Sequence, residues 1–171
     1  ELGFDNTGVV IQSYLYRSQA DVEKICEFGG RVRLCKGAYK EPPEVAFPQK
    51  RDVDQNYDRI IEMLIDCALA HGAPEVSKDG RVPPIPAIGT HDPTRMVNAK
   101  AYAERKGLPK KAMEFQMLHG IRRDLQENAA KEGYPVRIYV PYGTEWYPYF
   151  VRRLAERPAN LWFFISNLFR G

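Results

Sequence analysis

The sequence predicts an α/β protein with a parallel sheet covered by helices. Three observations carry that expectation. Strand-like runs alternate with helix-like runs at about 30–40 residues per unit, the longest helical run has a continuous apolar stripe, and polar residues gather where the strands end.

The elements follow in order. Gly8 to Tyr14 reads as a buried strand, Ser18 as the cap of the next helix, and Gly29-Gly30 as its close. Arg31 to Cys35 is the second strand. A loop bearing Pro42, Pro43 and Pro48 leads to a long helix from about Val53 to His71. There Tyr57, Ile60, Ile61, Leu64, Ile65 and Ala68 recur at helical spacing, and Gly72 stops the run. Ala73 to Pro83 reads as a surface loop, and Pro84 to Gly89 as the third strand. Asp92-Pro93 is a cap and first-position pair, opening a helix that ends near Gly107. Ala112 to Met117 is the fourth strand, Gly120 to Lys131 a helix, Val136 to Val140 the fifth strand, and Thr144 to Glu156 a further helix. The apolar tail Leu161 to Ile165 stays unassigned.

Such a sheet closes either as an open doubly wound layer or as a (β/α)₈ barrel. No G-x-G-x-x-G follows any strand, which disfavours a dinucleotide fold. Five units cannot close an eight-stranded barrel, so the barrel reading expects about three further units upstream. The chain opens on Glu1 with no leader pattern, as expected if it begins inside a longer protein.

Composition excludes several classes. With 171 residues, 44% hydrophobic and 27% charged, the chain can bury a core of its own. Its 25 Lys and Arg against 22 Asp and Glu leave +3, too slight a surplus for a nucleic-acid surface. Three cysteines, Cys26, Cys35 and Cys67, form no CxxC pair, so neither a zinc site nor a disulfide framework is expected, and a reducing compartment fits better. No apolar run reaches the roughly 18–20 residues of a membrane span.

In parallel α/β folds the C-terminal strand ends carry the chemistry. Those positions hold Gln12, Arg33 with Lys36-Gly37-Ala38-Tyr39, Thr90-His91-Asp92, Gln116 with Leu118-His119, and Tyr139. Singly, each has an ordinary explanation: a strand glutamine is commonly a satisfied polar group, His91 and His119 suit helix entry, and His71 suits a helix dipole. Five strand ends together are harder to assign to chance. On the last helix, about 100° per residue places Tyr149, Arg152, Arg153 and Glu156 on one face. Two guanidiniums there present forked donors suited to a carboxylate, and Glu156 is near enough to orient either. A solvated ion pair is the alternative.

Arg33-Leu34-Cys35-Lys36-Gly37-Ala38-Tyr39 resembles the Arg-Leu-Val-Lys-Gly-Ala-Tyr segment of proline dehydrogenases. Gln12 in Val-Ile-Gln-Ser-Tyr, Thr90-His91, Glu114 to Gly120, and Tyr139 to Glu156 are similar to that family in the same order. Lys40-Glu41-Pro42 and the short stretch from Tyr139 to Tyr149 look more like the single-function bacterial enzymes than the bifunctional ones.

The resemblance implies a distorted (β/α)₈ barrel that holds FAD non-covalently. Residues 1–171 then correspond to its C-terminal portion, strands four to eight and the final helix, with the N-terminal portion absent. It also implies oxidation of L-proline to 1-pyrroline-5-carboxylate, the first step of proline catabolism to glutamate, with electrons passed to a quinone. Gln12 then resembles a flavin-ring contact and Arg33 the arginine beside flavin N5. Lys36, Gly37, Ala38, Thr90 and His91 resemble the ribityl and phosphate contacts. Tyr139 and Tyr149 resemble aromatic walls around proline, and Leu118 an apolar contact. Arg152 and Arg153 resemble the carboxylate-binding pair, and Glu156 their support.

The family also uses an early lysine and an aspartate that nothing here matches, so this chain alone is not expected to oxidise proline. The implied setting is the bacterial cytoplasm, with peripheral contact at the inner face of the membrane, or a mitochondrion if the source is eukaryotic. No metal and no nucleic acid is expected. A different flavin-dependent barrel oxidoreductase, such as a folate reductase relative, and a non-catalytic half-barrel are the rival readings.

Overall fold

Five strands, β1 (Gly8–Gln12), β2 (Arg31–Cys35), β3 (Pro86–Gly89), β4 (Glu114–Leu118) and β5 (Val136–Tyr139), lie side by side in sequence order, every neighbouring pair parallel. This computed structural model describes residues 6–37 and 41–144. Tyr149, Arg152, Arg153, Glu156, Ala38, Tyr39, the expected last helix beyond Thr144 and the apolar tail therefore lie outside the described residues. The chain divides into one unit of Glu1–Gly37 with Glu41–Tyr139 and another of Ala38–Lys40 with Val140–Gly171. The sheet belongs to the first.

Four helices link the strands: α1 (Ser18–Cys26), α2 (Lys50–Ala70), α3 (Pro93–Lys106) and α4 (Arg123–Lys131). The stripe expected on α2 is the centre of the core, with Tyr57, Ile60, Ile61, Leu64, Ile65 and Ala68 all buried. It packs on β2 and β3 and is flanked by α1 and α3. Alternate strand residues meet it, namely Val32, Leu34, Ile88, Phe115 and Met117. The period-two geometry of a strand sends the intervening residues to the opposite face. Those residues are Arg31, Arg33, Glu114, Gln116, Arg137 and Tyr139, so that face is polar. Among the described residues the helices lie on one side of this sheet, as in a portion of a barrel and unlike an open doubly wound layer.

β1 departs from the expected buried strand. Val9 and Val10 are 46% and 57% exposed, because β1 pairs only with β2 among the described residues. Ser18 does not cap α1. The cap position is Arg17, and the buried Ser18 hydroxyl instead donates to the Gln12 carbonyl, tying the helix start to the end of β1. Gly29, at φ +67°, and the Gly30 N–H bond to the Ile25 carbonyl close α1 as expected.

α2 begins at Lys50, three residues before the expected Val53. Its first turn is polar and carries a Lys50–Asp54 pair, so apolar periodicity does not reveal it. α4 starts at Arg123 instead of Gly120, because Gly120 (φ +77°) and Arg122 (φ +51°) are left-handed. β4 starts at Glu114 because Lys110–Ala112 form a single 3-10 turn. α3 matches its signals: Asp92 Oδ1 accepts from the Thr94 N–H at 3.0 Å, Pro93 follows, and Gly107 ends the helix at φ +75°.

Leu64→Ala should cost about 2–5 kcal/mol, the loss typical of an uncollapsed core cavity. Val97→Ala, at a site 62% exposed on α3, should change stability by no more than about 0.5 kcal/mol. Urea denaturation compares them; similar losses at both sites would contradict the placement of α2 at the centre.

Candidate active site

The polar face of the sheet carries a connected set of side chains. Glu114, at the start of β4, has only 3% of its side chain exposed, and Arg137 on β5 grips it with two N–H donors, Nε at 2.8 Å and Nη2 at 2.9 Å. The same Glu114 Oε1 accepts from Gln116 Nε2 at 2.6 Å. Both carboxylate oxygens receive N–H donors, so the group serves as an acceptor throughout. The Gln116 NH₂ must therefore face it, and Gln116 Oε1 must face the other way. There Oε1 accepts from Arg33 Nε at 2.8 Å and from the Tyr139 hydroxyl at 3.0 Å. Arg33 Nη1 also donates to Cys35 Sγ at 3.0 Å, and its Cζ lies 4.7 Å from the centre of the Tyr139 ring.

The sheet register brings these groups together: Gln116 is opposite Gly89 and Arg137, while Arg33 is opposite Ala87. Small residues at 87 and 89 on β3 leave room between β2 and β4 for the Arg33 side chain to reach Gln116. A Cβ at Gly89 would meet the Leu34 carbonyl at 2.8 Å and Cys35 Sγ at 2.9 Å. Above this floor is a cavity of about 310 Å³ lined by Val10, Arg31, Arg33, Gln116, Arg137 and Tyr139 among others. At its base, Arg31 Nη1 and Arg137 Nη2 donate to the Pro83 and Gly80 carbonyls, fastening the loop expected from Ala73 to Pro83 beneath the strands.

A second cluster lies where β2 and β3 end. Lys36 Nζ is 2.5 Å from Asp54 Oδ1 on α2 and 2.7 Å from Asp92 Oδ2 at the head of α3. Asp92 thus caps its helix with one oxygen and holds Lys36 with the other. Burial opposes ionisation of both carboxyls, but the lysine contacts outweigh it and hold both below the usual aspartate range. Thr90 is buried and its Oγ1 accepts from the Asp92 N–H. His91 is a structural acceptor at this end and not a cap: its Nε2 takes the Leu118 N–H at 2.9 Å, tying β3 to β4. Gln12, half-buried, ends β1 opposite Cys35.

Two of the sequence expectations change in detail. Gly37 has φ +108°, and a Cβ there would collide with the Tyr14 ring, so its glycine is required by Tyr14 and by the backbone whatever lies beyond. His71 does more than complement its own helix: its Nε2 lies 2.7 Å from the Cys26 carbonyl at the end of α1. His119 is exposed. Glu114 and Arg137 fall outside the strand-end set that the sequence suggests, and the signal for them is the alternation Arg31-x-Arg33, Glu114-x-Gln116 and Arg137-x-Tyr139, which marks a polar strand face.

A family model described as proline dehydrogenase matches residues 1–165. The chain belongs to the proline dehydrogenase family. The proline dehydrogenase of Deinococcus radiodurans is 43% identical over 171 residues, which is all of this chain and 50% of that protein. Proline dehydrogenase 1 of Bacillus subtilis is 41% identical over 98% of this chain and 50% of its own length. The chain thus spans about half the length of the curated relatives it matches. Among solved structures, proline utilization A from Bdellovibrio bacteriovorus, inactivated by N-propargylglycine, superposes with a TM-score of 0.75 at 31% identity, over 90% of this chain and 17% of that one. The α/β class and the parallel strand order agree with that relationship.

Lys36→Met should be most costly at neutral pH. Asp54 and Asp92 have folded pKa values below their unfolded ones, so the stability they lend is present above about pH 4 and is lost as pH falls through the folded values. The stability gap between wild type and variant should therefore narrow as pH falls below about 4. A gap that stays constant on that acidification in urea titrations would contradict the cluster.

Proposed function

We propose that this chain forms the cofactor- and substrate-facing portion of an FAD-dependent proline dehydrogenase, oxidising L-proline to 1-pyrroline-5-carboxylate and passing the electrons to a quinone. The observation that carries the proposal is the electropositive strand face centred on Arg33, in a chain of this family. Three guanidiniums, Arg31, Arg33 and Arg137, stand there against one carboxylate, Glu114. Such a face suits a carboxylate substrate and a ring that gains negative charge on reduction. The open edges of β1 and β5 among the described residues support the reading of residues 1–171 as strands four to eight of a larger (β/α)₈ barrel.

The donor set fits a flavin. FAD, when bound, supplies the acceptor for the hydride that leaves proline C5 while the amine nitrogen gives up a proton. The residues of this chain bind and orient. Arg33, fixed by Gln116 and stacked on Tyr139, meets developing negative charge, and Gln12 contacts the ring. Lys36, Gly37, Ala38, Thr90 and His91 line the rest of the cofactor. With two carboxylates already beside its ammonium, Lys36 serves as a hydrogen-bond donor to a ribityl hydroxyl better than as a lone cation for a pyrophosphate. Tyr139, Tyr149 and Leu118 enclose the apolar part of proline. Arg152 and Arg153, supported by Glu156, grip its carboxylate and place C5 for transfer.

Delivery of electrons to a quinone implies peripheral contact with a membrane. Among the described residues no helix is long and apolar enough to cross one.

In a flavin-loaded enzyme containing this chain, Arg152→Met or Arg153→Met should raise KM for proline. Loss of one charge-assisted contact to a carboxylate is worth about 2–5 kcal/mol. Flavin content should stay at the wild-type level. Unchanged KM in both variants would make the pair surface charge only, and parallel loss of flavin would move it to the cofactor site.

A further inference from the structure

We infer that Glu114 is a positioning residue for the reaction, acting through the Gln116 amide on Arg33 and Tyr139. The inference rests on the reading of Arg33 as the arginine that faces the reacting groups. Its basis is a donor and acceptor count that leaves one arrangement. Glu114 is nearly fully buried, and its oxygens are taken by Arg137 and by Gln116 Nε2. A glutamine amide has one acceptor end and one donor end, and turning it over reverses them. While Glu114 holds the NH₂, the oxygen stays toward Arg33 and Tyr139, and both of their hydrogen bonds form. With the amide reversed, its NH₂ would confront the Arg33 Nε–H, donor against donor. Arg33 would then lose its anchor on β4 and its alignment over the Tyr139 ring. A carboxylate at the start of β4 thus sets the geometry of the arginine on β2, two strands away.

The test uses Glu114→Gln, alone and combined with Gln116→Glu, in a flavin-loaded enzyme containing this chain. In the single variant the residue at 114 also has a donor end, so Gln116 is no longer held one way round. The double variant exchanges the two side chains at constant net charge. A carboxylate at 116 accepts from Arg33, Tyr139 and the new amide, which still offers its oxygen to Arg137. The single variant should lose about ten-fold or more in kcat with KM for proline within about twofold, a split expected when a group acts in the transition state. The double variant should recover to within about threefold of wild type. A loss of packing alone would not be repaired by the exchange.

Crystal structures of both variants supply a readout apart from activity. The Arg33 to Gln116 contact should be lost in the single variant, and in the double variant Arg33 should contact the carboxylate introduced at position 116. Retention of the 2.8 Å contact in the single variant, or a double variant no better than the single, overturns the inference. If the single variant does not fold, the double decides alone: a folded, flavin-loaded double variant as slow as Arg33→Met refutes it. Arg33→Met with wild-type kcat would instead defeat the reading of Arg33, while the crystallographic contacts would still decide what Glu114 does.

Discussion

A carboxylate withdrawn from water has to be neutralised and hydrogen-bonded on every side, and that constraint at Glu114 organises the polar face of the sheet. Arg137 supplies the charge and Gln116 completes the acceptor count. The direction of the Gln116 amide then follows, and with it the positions of Arg33 and Tyr139. Removing one partner of such a pair typically costs about 3–5 kcal/mol, because the other charge is stranded. Polar groups that cannot be individually displaced hold their neighbours within the small tolerance that chemistry demands. The apolar face needs no such direction: α2 buries its stripe against β2 and β3, and volume alone places it.

The strand ends show a second use of charge. Asp92 caps α3 through one oxygen and holds Lys36 through the other, while Asp54 reaches the same ammonium from α2. Two helices are thereby fixed to the end of β2, where the lysine leaves the sheet. His91 adds a backbone tie to β4 through Leu118. Lys36 and His91, both within motifs shared with the family, are thus held in place by side chains and backbone of this chain.

Much of the fold was legible in the residues. The α2 stripe, the Asp92-Pro93 start and the Gly107 stop of α3 each follow from local chemistry that tertiary context did not override. The first turn of α2 and the start of α4 were not legible, because polar entry residues and left-handed Gly120 and Arg122 leave no apolar period. The exposure of β1 depends on how many neighbours it has, which a strand's own sequence does not state. At the site, Arg33, Gln116 and Tyr139 announced themselves as polar strand residues. Glu114 and Arg137 sit at the entry ends of β4 and β5, away from the strand ends where chemistry is expected, and only the strand register shows that they meet.

As proposed, proline reacts on the face carrying Arg33, Gln116 and Tyr139. The most direct measurement is a crystal structure of a flavin-loaded enzyme containing this chain, bound to a five-membered cyclic carboxylate that cannot be oxidised. The account predicts the ligand against the Tyr139 ring, with Arg33 still bonded to Gln116. A ligand bound elsewhere, such as the cavity of about 210 Å³ between α2 and α3 beside Asp58 and Tyr102, with the Arg33 face empty, would contradict it.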